Sequence, residues 1–410
     1  MPFARFLLLL FCCFAAGASA QTTAISGTVR DSVTRAPLGF ASVFLANTTY
    51  GSTTDEQGRY VLPDVPPGRY DFVVSYVGYR LYQRSVELRG PAAMQLTPLI
   101  APLSNQLREV IVKGRRHRNI SADYWRFVAL FLGNSSFSQQ CRIINPRDVI
   151  VRYDARRQRL TASSARFVAI ENRALGYLVR YHGFQFEADL SQQTVTFLGQ
   201  PVFSELSARQ NRPLWEKNRK TAYYGSLSHF LRAVHDDQVT AQGYLVQRTR
   251  QVANAQRAQA DTLLRQQRAA AAVGPPFVPN DSLLALLAEP RLYRYVYTQP
   301  MPIDSVRRLG ADGTHWLRFT DQLLVTYGNE PPDPQYRPPA IFISTTPPAP
   351  TKQISTLYLL RPGGVRLLAN GQMAEPLAVF TDGYWGFEKM GEFLPLDYSP
   401  YPPLPSGQKP

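Results

Sequence analysis

The segment from Thr53 to Tyr79 constrains the fold more strongly than any other part of this sequence. It reads TTDEQGRYVLPDVPPGRYDFVVSYVGY, two runs of alternating apolar and polar residues joined by a PPG sequence. Period-two alternation predicts β-strands with one face against a core, and Pro67 and Gly68 suit the central positions of a type II turn. The predicted apolar face carries Tyr70, Phe72, Val74 and Tyr76, and the mixed face carries Asp71, Val73, Ser75 and Val77.

Short alternating runs and turn-forming residues continue on both sides of this segment, from Ile25 to about Leu96. In the run that precedes it, Ala41, Val43 and Leu45 fall on one face of a predicted strand. Several short strands at this spacing indicate a compact all-β module. We therefore predict a β-sandwich over residues 21–98.

The sequence SGTVRDSVTRAPLGFASVFLANTTYGSTTDEQGRYVLPDVPPGRYDFVVSYVGY resembles the carboxypeptidase-regulatory-like domain. The matching elements are G-T-V, P-L-x-x-A-x-V, T-D-x-x-G-x-Y, P-P-G-x-Y and S-x-x-G-Y. This transthyretin-like β-sandwich is common in Bacteroidetes-type exported and outer-membrane proteins, and it precedes the plug of SusC-type receptors. LREVIVKG, residues 107–114, is similar to the segment that leads out of the domain in those receptors. The resemblance implies an accessory domain, because the catalytic residues of the family lie outside it.

The first twenty residues have the pattern of a secretory signal. MPFARFLLLLFCCFAAGASA carries one early cation, Arg5, then an apolar run, and ends in a small-residue A-S-A site. We predict a signal peptide over 1–20, cleaved before Gln21, and no transmembrane segment in the mature chain. The expected location is the periplasm or the outer membrane, with the cell surface as a further option.

The chain carries a formal charge of +15, with basic residues dispersed except for KGRRHR at 113–118. A nucleic-acid-binding protein would cluster such residues beside stacking aromatics, so we predict no nucleic-acid partner. The dispersed charge indicates a solvated basic surface, and contact with anionic lipid headgroups or acidic glycans is the alternative. Cleavage of the leader leaves Cys141 as the one cysteine, so no intramolecular disulfide is expected.

The rest of the chain has a mixed pattern, which predicts a larger α+β region with mostly antiparallel strands. Ser121 suits the N-cap of a helix that ends at Gly133, and PLWEKNRKTAYYGSLSHFLRAVHDD, residues 213–237, is also predicted to be helical. The predicted organisation is a basic linker at 99–119, an α+β domain at 120–247, an Ala/Gln/Arg-rich helix or mobile insertion at 248–280, a β-rich part at 281–400 and a flexible tail at 401–410.

Three segments outside the sandwich resemble an uncharacterised family of exported proteins that carry the same N-terminal domain. They are IENRALGY at 170–177, WEKNRKTAYYGSLSHFLRA at 215–233 and DGYWGFEKMGEFLPLDYSP at 382–400. No activity is assigned to that family. The resemblance therefore implies an architecture and leaves the function open.

We find none of the spacings that the common catalytic centres need. A zinc carboxypeptidase needs a His and a Glu three residues apart together with a distant His, and no such pair, H-E-x-x-H motif or G-x-S-x-G motif is present. Cys141 is interpreted as an inert thiol, and His235-Asp236-Asp237 as a helix-terminal polar cluster. We predict no catalytic residue, cofactor or metal. The five histidines are His117, His182, His229, His235 and His315.

The aromatic C-terminal segment is the best candidate for a binding surface. Its rings either seal the edge of a core or stack on a glycan or peptide. Glu388 and Glu392 lie four apart on a predicted WGFEKMGEFL helix, where they are expected to form a solvated polar face. The candidate partner-binding residues are Tyr384, Trp385, Phe387, Glu388 and Tyr398.

Three functions remain open from sequence. The first is a non-catalytic exported cell-envelope protein, in which the sandwich docks or stabilises a larger part that binds a protein or glycan partner. The second is a hydrolase, a peptidase or glycosidase, with an unrecognised site that uses carboxylates or His182, His229 or His235. The third is an assembly factor for surface polymers or receptors.

Overall fold

The computed structural model describes residues 22–90, 92–103, 121–271, 277–338 and 350–400. The predicted leader at 1–20, the basic patch at 113–118 and the predicted tail at 401–410 lie outside these ranges, as does most of the predicted linker. The chain forms two compact units. The first comprises the described residues up to 224 together with 388–400, and the second comprises residues 225–387.

The first unit begins with the predicted β-sandwich. A three-stranded sheet has the order β5-β1-β8, a four-stranded sheet has the order β4-β3-β6-β7, and β2 pairs with β9. The strands are β1 Thr23–Thr28, β2 Arg30–Asp31, β3 Ser42–Leu45, β4 Gly51–Thr53, β5 Arg59–Val65, β6 Gly68–Ser75, β7 Tyr82–Leu88, β8 Met94–Gln95 and β9 Leu99–Ile100. Ile100 is buried in the sandwich core, so the domain continues past the predicted boundary at residue 98.

The predicted type II turn at Pro67 and Gly68 is wrong. Such a turn needs a positive φ at its second central residue, but Gly68 is the first residue of β6 and is not among the positive-φ glycines. The positive φ on this side of the sandwich belongs to Asp64, at 56°.

A six-stranded antiparallel sheet completes the first unit. Its order is β10-β13-β14-β12-β11, and β15 also pairs with β14. The strands are β10 Cys141–Ile143, β11 Val149–Asp154, β12 Arg159–Ser164, β13 Phe167–Asn172, β14 Tyr177–Asp189 and β15 Thr194–Glu205. This antiparallel sheet and its helices confirm the predicted β-rich, α+β fold class.

Helix α1, Ala122–Leu132, covers one face of this sheet, and its caps are as predicted. The Ser121 side chain accepts a hydrogen bond from the Tyr124 amide, and the helix ends at Gly133. Phe127 is fully buried in the core beneath the helix, where its ring lies 5.0 Å from that of Phe186.

Two helices occupy the stretch that was predicted as one. Helix α2 is Arg212–Tyr223, and α3 is Leu227–His235. Gly225 separates them with a φ of 82°, and the Ser226 side chain caps α3 by accepting a hydrogen bond from the His229 amide.

The second unit contains a five-stranded antiparallel sheet of order β17-β16-β20-β21-β23 and a three-stranded sheet of order β18-β19-β22. The strands are β16 Tyr244–Ala253, β17 Leu292–Pro300, β18 Arg307–Leu309, β19 His315–Leu317, β20 Gln322–Tyr327, β21 Gln353–Leu359, β22 Val365–Leu367 and β23 Val379–Gly383; the helices are α4 Ala255–Ala271, α5 Asp281–Ala288 and α6 Tyr384–Phe387. The Ala/Gln/Arg-rich stretch thus begins as the end of β16 and continues as α4. None of the helices in the described ranges combines the length and apolar character that a membrane span needs.

The core beneath α1 gives a direct test of the fold. Phe127→Ala should lower the free energy of unfolding by about 3–5 kcal/mol, because it removes a fully buried ring and leaves a cavity. Trp125→Ala is the matched control, since Trp125 lies on the same helix and is 58% exposed. Urea titration followed by circular dichroism measures both. Equal losses in the two variants would contradict the orientation of α1.

Candidate functional site: the docking face of the sandwich

Strands β3 and β6 of the sandwich are buried on both faces. Val43 and Leu45 point into the sandwich core, as the alternation predicted. The intervening Phe44 is only 1% exposed and Val73 is 0% exposed, yet both belong to a separate cluster with Ala46 and Val202. Val202 lies in β15 of the six-stranded sheet. The part of the mixed face around Val73 is therefore covered by the neighbouring sheet, whereas Val77 remains 67% exposed. We call Phe44, Ala46, Val73 and Ser75 the docking face.

Backbone hydrogen bonds extend this contact beside the docking face. The Asn47 amide donates to the Pro201 carbonyl at 2.6 Å, and the Phe203 amide donates to the Thr48 carbonyl at 3.0 Å. Thr48 and Val202 thereby form a parallel β-bridge. Asn47 has a φ of 62°, a left-handed conformation that Asn tolerates better than most residues.

The C-terminal segment of the first unit holds the same turn from another side. The Leu396 amide donates to the Asn47 carbonyl at 2.7 Å. The Asp397 carboxylate accepts from the Thr49 amide at 2.9 Å and also from the Thr49 hydroxyl. Hydrogen bonds to a charged acceptor are stronger than those between neutral groups. The turn after β3 is therefore held both by β15 and by the C-terminal segment at Leu396 and Asp397.

His182 is the polar centre of the docked surface. Its Nδ1 lies 3.1 Å from the Ser75 hydroxyl, and its ring lies 4.8 Å from Phe44 and 5.2 Å from Phe167. The side chain is almost fully buried, and this burial lowers its pKa from 6.5 to about 4. His182 is therefore neutral near pH 7.

The Ser75–His182 pair has the spacing of a nucleophile and its base, but the described residues supply no third group that orients the imidazole. An activated serine needs a base that a further side chain orients. Nε2 of His182 has no hydrogen-bond partner within the described ranges. In this arrangement the imidazole joins two surfaces, and its contacts are those of a structural residue.

The three segments of the second resemblance meet at one turn, residues 172–177, which we call the central turn. Helix α2 provides three side-chain donors to three consecutive carbonyls of this turn. These donors are Trp215 Nε1 to Arg173 at 2.9 Å, Asn218 Nδ2 to Ala174 at 2.8 Å and Arg219 Nε to Leu175 at 2.8 Å. The C-terminal segment contributes the Gly391 carbonyl, which accepts from Asn172 Nδ2 at 2.9 Å.

Close approach explains the glycine of the central turn. Gly176 has a φ of 72°, and a Cβ on it would lie 2.2 Å from the Trp215 ring. The Arg219 guanidinium lies 4.0 Å from the centre of the Tyr177 ring and pairs with Glu205 at 2.7 Å. The residues shared with the second family thus hold α2 against the six-stranded sheet.

A small polar cavity lies beside the central turn. Its volume is about 120 Å³, and it is lined by Glu205, Arg212, Trp215, Glu216 and Arg219. Ligand sites usually measure about 300–1,000 Å³. This cavity is smaller than that range.

The predicted partner-binding residues are divided between the two units. Tyr384, Trp385 and Phe387 belong to the second unit, whereas Glu388 and Tyr398 belong to the first. Tyr384 and Trp385 are buried, and the Trp385 indole donates to the Gly225 carbonyl at 2.7 Å.

Tyr336 is the ring partner that sequence reasoning missed, because it lies far away along the chain. Its ring is 5.2 Å from Tyr384 and 5.3 Å from Phe387. In the first unit, the Tyr398 ring lies 6.0 Å from that of Tyr223.

The predicted WGFEKMGEFL helix is wrong, because α6 ends at Phe387. Glu392 instead accepts hydrogen bonds from the Ser135 hydroxyl and, at 2.9 Å, from the Lys389 amide. Both glutamates are partly buried, so they do not form the solvated polar face that the helix implied. Burial, followed by the charge of Glu392, raises the pKa of Glu388 well above its ordinary value.

The remaining titratable candidates do not form a centre. His229 is buried, with Nδ1 2.9 Å from the Tyr244 hydroxyl and Nε2 3.1 Å from the Gln242 side chain, while the rings of His235 and His315 lie 4.2 Å apart. Burial raises the pKa of the Cys141 thiol. Within the described ranges, no three His, Cys, Asp or Glu side chains are placed to hold a metal ion. His117 lies outside the described residues.

The burial of His182 predicts an acid-sensitive first unit. The pKa of His182 is about 4 in the folded chain, below its ordinary value of 6.5. Neutral His182 therefore contributes its full stability to the fold above pH 6.5, and this contribution is lost as the pH falls towards 4. Over that interval wild type should lose up to about 3 kcal/mol more unfolding free energy than His182→Gln, which cannot titrate. Urea titrations at pH 7, 5.5 and 4 measure these unfolding free energies. Equal losses in wild type and His182→Gln would refute the proposed effect of His182.

Comparison with known proteins bears on the N-terminal part of the chain. Residues 25–112 match the family model of the CarboxypepD_reg-like domain, and no curated protein matches the chain. Among solved structures, a catechol 1,2-dioxygenase from an Acinetobacter species is 13% identical with a TM-score of 0.18, and the match covers 22% of this chain and 55% of that one. A cohesin–X-dockerin complex from Acetivibrio cellulolyticus is 21% identical with a TM-score of 0.18, over 20% of this chain and 58% of that one.

A putative carbohydrate-binding protein from Bacteroides uniformis is 11% identical with a TM-score of 0.16, over 44% of this chain and 79% of that one. The chain thus spans less than two-thirds of the first two solved proteins. The family model confirms the resemblance read from the sequence: residues 25–112 are a carboxypeptidase-regulatory-like domain.

Proposed function

We propose that this is a non-catalytic, exported cell-envelope protein. Its regulatory-like sandwich serves as a built-in docking module for the six-stranded sheet, and the larger α+β part binds a protein or glycan partner. The two-sided burial of β3 and β6 is the observation that carries the proposal.

The chemistry of the contact supports a holding role. Burying an apolar side chain of the size of Phe44 or Val73 contributes about 1.5–3 kcal/mol, so the docking face favours a permanent association. The polar groups at its rim are engaged in fixing the two parts: Asp397 holds Thr49, and His182 meets Ser75. None of these groups is presented to a substrate.

Export and partner binding rest on other observations. The leader at 1–20 and the net charge of +15 suit a protein that meets acidic molecules outside the cytoplasm. Tyr384 and Trp385 are already used in ring contacts within the second unit. A partner surface must therefore offer side chains that remain exposed.

The docking role predicts that Phe44→Asp separates the sandwich from the sheet. A buried carboxylate without a counter-charge should cost at least about 3 kcal/mol of unfolding free energy, and limited proteolysis should release the sandwich much earlier than in wild type. Phe40→Asp is the control, because Phe40 is 70% exposed on the same domain. Identical proteolysis of both variants would rule out a docking face at Phe44.

Export and the partner require a separate experiment. In the native host, the tagged protein should be recovered from the envelope fraction with Gln21 as its first residue, and gentle crosslinking should retain one stoichiometric partner. Phe44→Asp should reduce that recovery, whereas Phe40→Asp should not. A full-length chain with its leader intact in the cytosol would overturn the proposal.

A further inference from the structure

Strand β17, Leu292–Pro300, is the most exposed strand of the second unit. Among the described residues it pairs only with β16 and forms the edge of the five-stranded sheet. Every one of its nine residues is exposed, although most are of the types that strands usually bury. Leu292 is 52% exposed, Tyr295 56% and Tyr297 45%.

This edge has few of the features that usually protect an edge strand, apart from a register shift in its pairing between Gln247 and Thr249. Native edges avoid pairing with other chains through charged side chains, internal prolines or short length. β17 contains one charged residue, Arg294, and its proline is the last residue, Pro300. By contrast β7, an edge strand of the sandwich, carries charges at Arg84 and Glu87 within seven residues.

Strands β16 and β17 form a two-stranded ribbon whose side chains lie on two faces. Tyr295 pairs directly with Arg250 and Tyr293 with Val252, so these four share a face. Arg294 pairs with Gln251 and therefore lies on the opposite face.

Two guanidinium groups of this ribbon lack an acidic partner. Arg248 is paired with Asp321 at 2.5 Å, and Arg291 with Asp261 at 3.1 Å. Within the described ranges, no carboxylate lies within 4.0 Å of Arg250 or Arg294, and each side chain is exposed. Arg294 hydrogen-bonds the uncharged Tyr358 hydroxyl. The ribbon thus presents, on each face, one positive charge without a carboxylate partner among the described residues, beside an edge of backbone hydrogen-bonding groups.

We infer that β17 is a strand-addition site for an extended acidic segment of a partner protein. The added strand would lie about 4.8 Å from β17 and pair with its outer backbone groups, as in other edge-strand recognition. Carboxylates on alternate sides of that strand would meet Arg250 and Arg294, and its apolar residues would cover Tyr295 and Val296. This inference specifies the partner of the proposed function, and it rests on that proposed function.

Charge favours such a segment over a second copy of the chain. Antiparallel self-pairing centred on Val296 would bring together two ribbons with the same unmatched arginines, on chains that each carry +15. Like charges across an interface disfavour association. An acidic glycan offers anionic groups, but it cannot supply the backbone amide and carbonyl groups that an added strand needs.

The test uses three labelled nine-residue peptides and fluorescence anisotropy at physiological salt. The first repeats two Glu residues followed by Val and Thr, so that neighbouring glutamates lie on opposite faces of the strand. The second replaces each Glu by Lys, and the third keeps the glutamates but replaces each Val by Pro. We expect the first to bind, and the other two to bind at least about tenfold more weakly, because one loses the charge match and the other loses the amide donors.

Protein variants locate the site. Arg250→Glu combined with Arg294→Glu should weaken binding of the first peptide at least about tenfold. Arg84→Glu is the matched control, an exposed arginine on the edge strand β7, and it should bind like wild type. Urea midpoints of all variants verify that the fold is retained.

Several outcomes would overturn the inference. The proline peptide could bind as tightly as the first peptide, or heparin of similar charge could compete equally well. The double variant could bind the first peptide like wild type, or sedimentation could show a dimer that Val296→Lys abolishes. Export and sandwich docking are measured on Phe44 and Phe40 variants, so failure here leaves the proposed function standing. Loss of export or docking would instead appear in those variants while peptide binding persists.

Discussion

The two-sided burial of β3 and β6 is the constraint on which the first unit depends. A sheet of a sandwich needs only one apolar face, yet here Val43 and Leu45 fill the sandwich core while Phe44 and Val73 fill the contact with β15. Removing either neighbour would expose a contiguous apolar surface to water. The carboxypeptidase-regulatory-like domain is therefore an integral layer of the unit.

A second constraint is the demand of a tight turn for hydrogen-bond donors. Three consecutive carbonyls of the central turn, those of Arg173, Ala174 and Leu175, accept from side chains, and a buried carbonyl without a donor is costly. Trp215, Asn218 and Arg219 of α2 donate to them in succession. These residues stabilise the fold, which gives the resemblance to an uncharacterised family a structural meaning without implying a reaction.

Local signals made part of this architecture predictable from sequence. The strand alternation of the sandwich and the caps at Ser121 and Gly133 depend on nearby residues, and the structure has them as predicted. The docking face was not predictable, because a mixed strand face has the same pattern whether it meets water or another sheet. The helix expected beyond Phe387 failed for a similar reason: Glu392 is satisfied by the distant Ser135, a contact that no local pattern contains.

The docking face and the β16–β17 ribbon differ in one property that bears on their roles. A surface that stays covered has to be neutral, because a buried charge without a counter-charge costs several kcal/mol, and His182 meets this demand through its lowered pKa. A surface covered only when a partner arrives is solvated until then and can keep its charges. Arg250 and Arg294 remain exposed beside tyrosines. This difference in charge is what separates an internal contact from the proposed external one, even though both are built from aromatic and β-branched residues on strands.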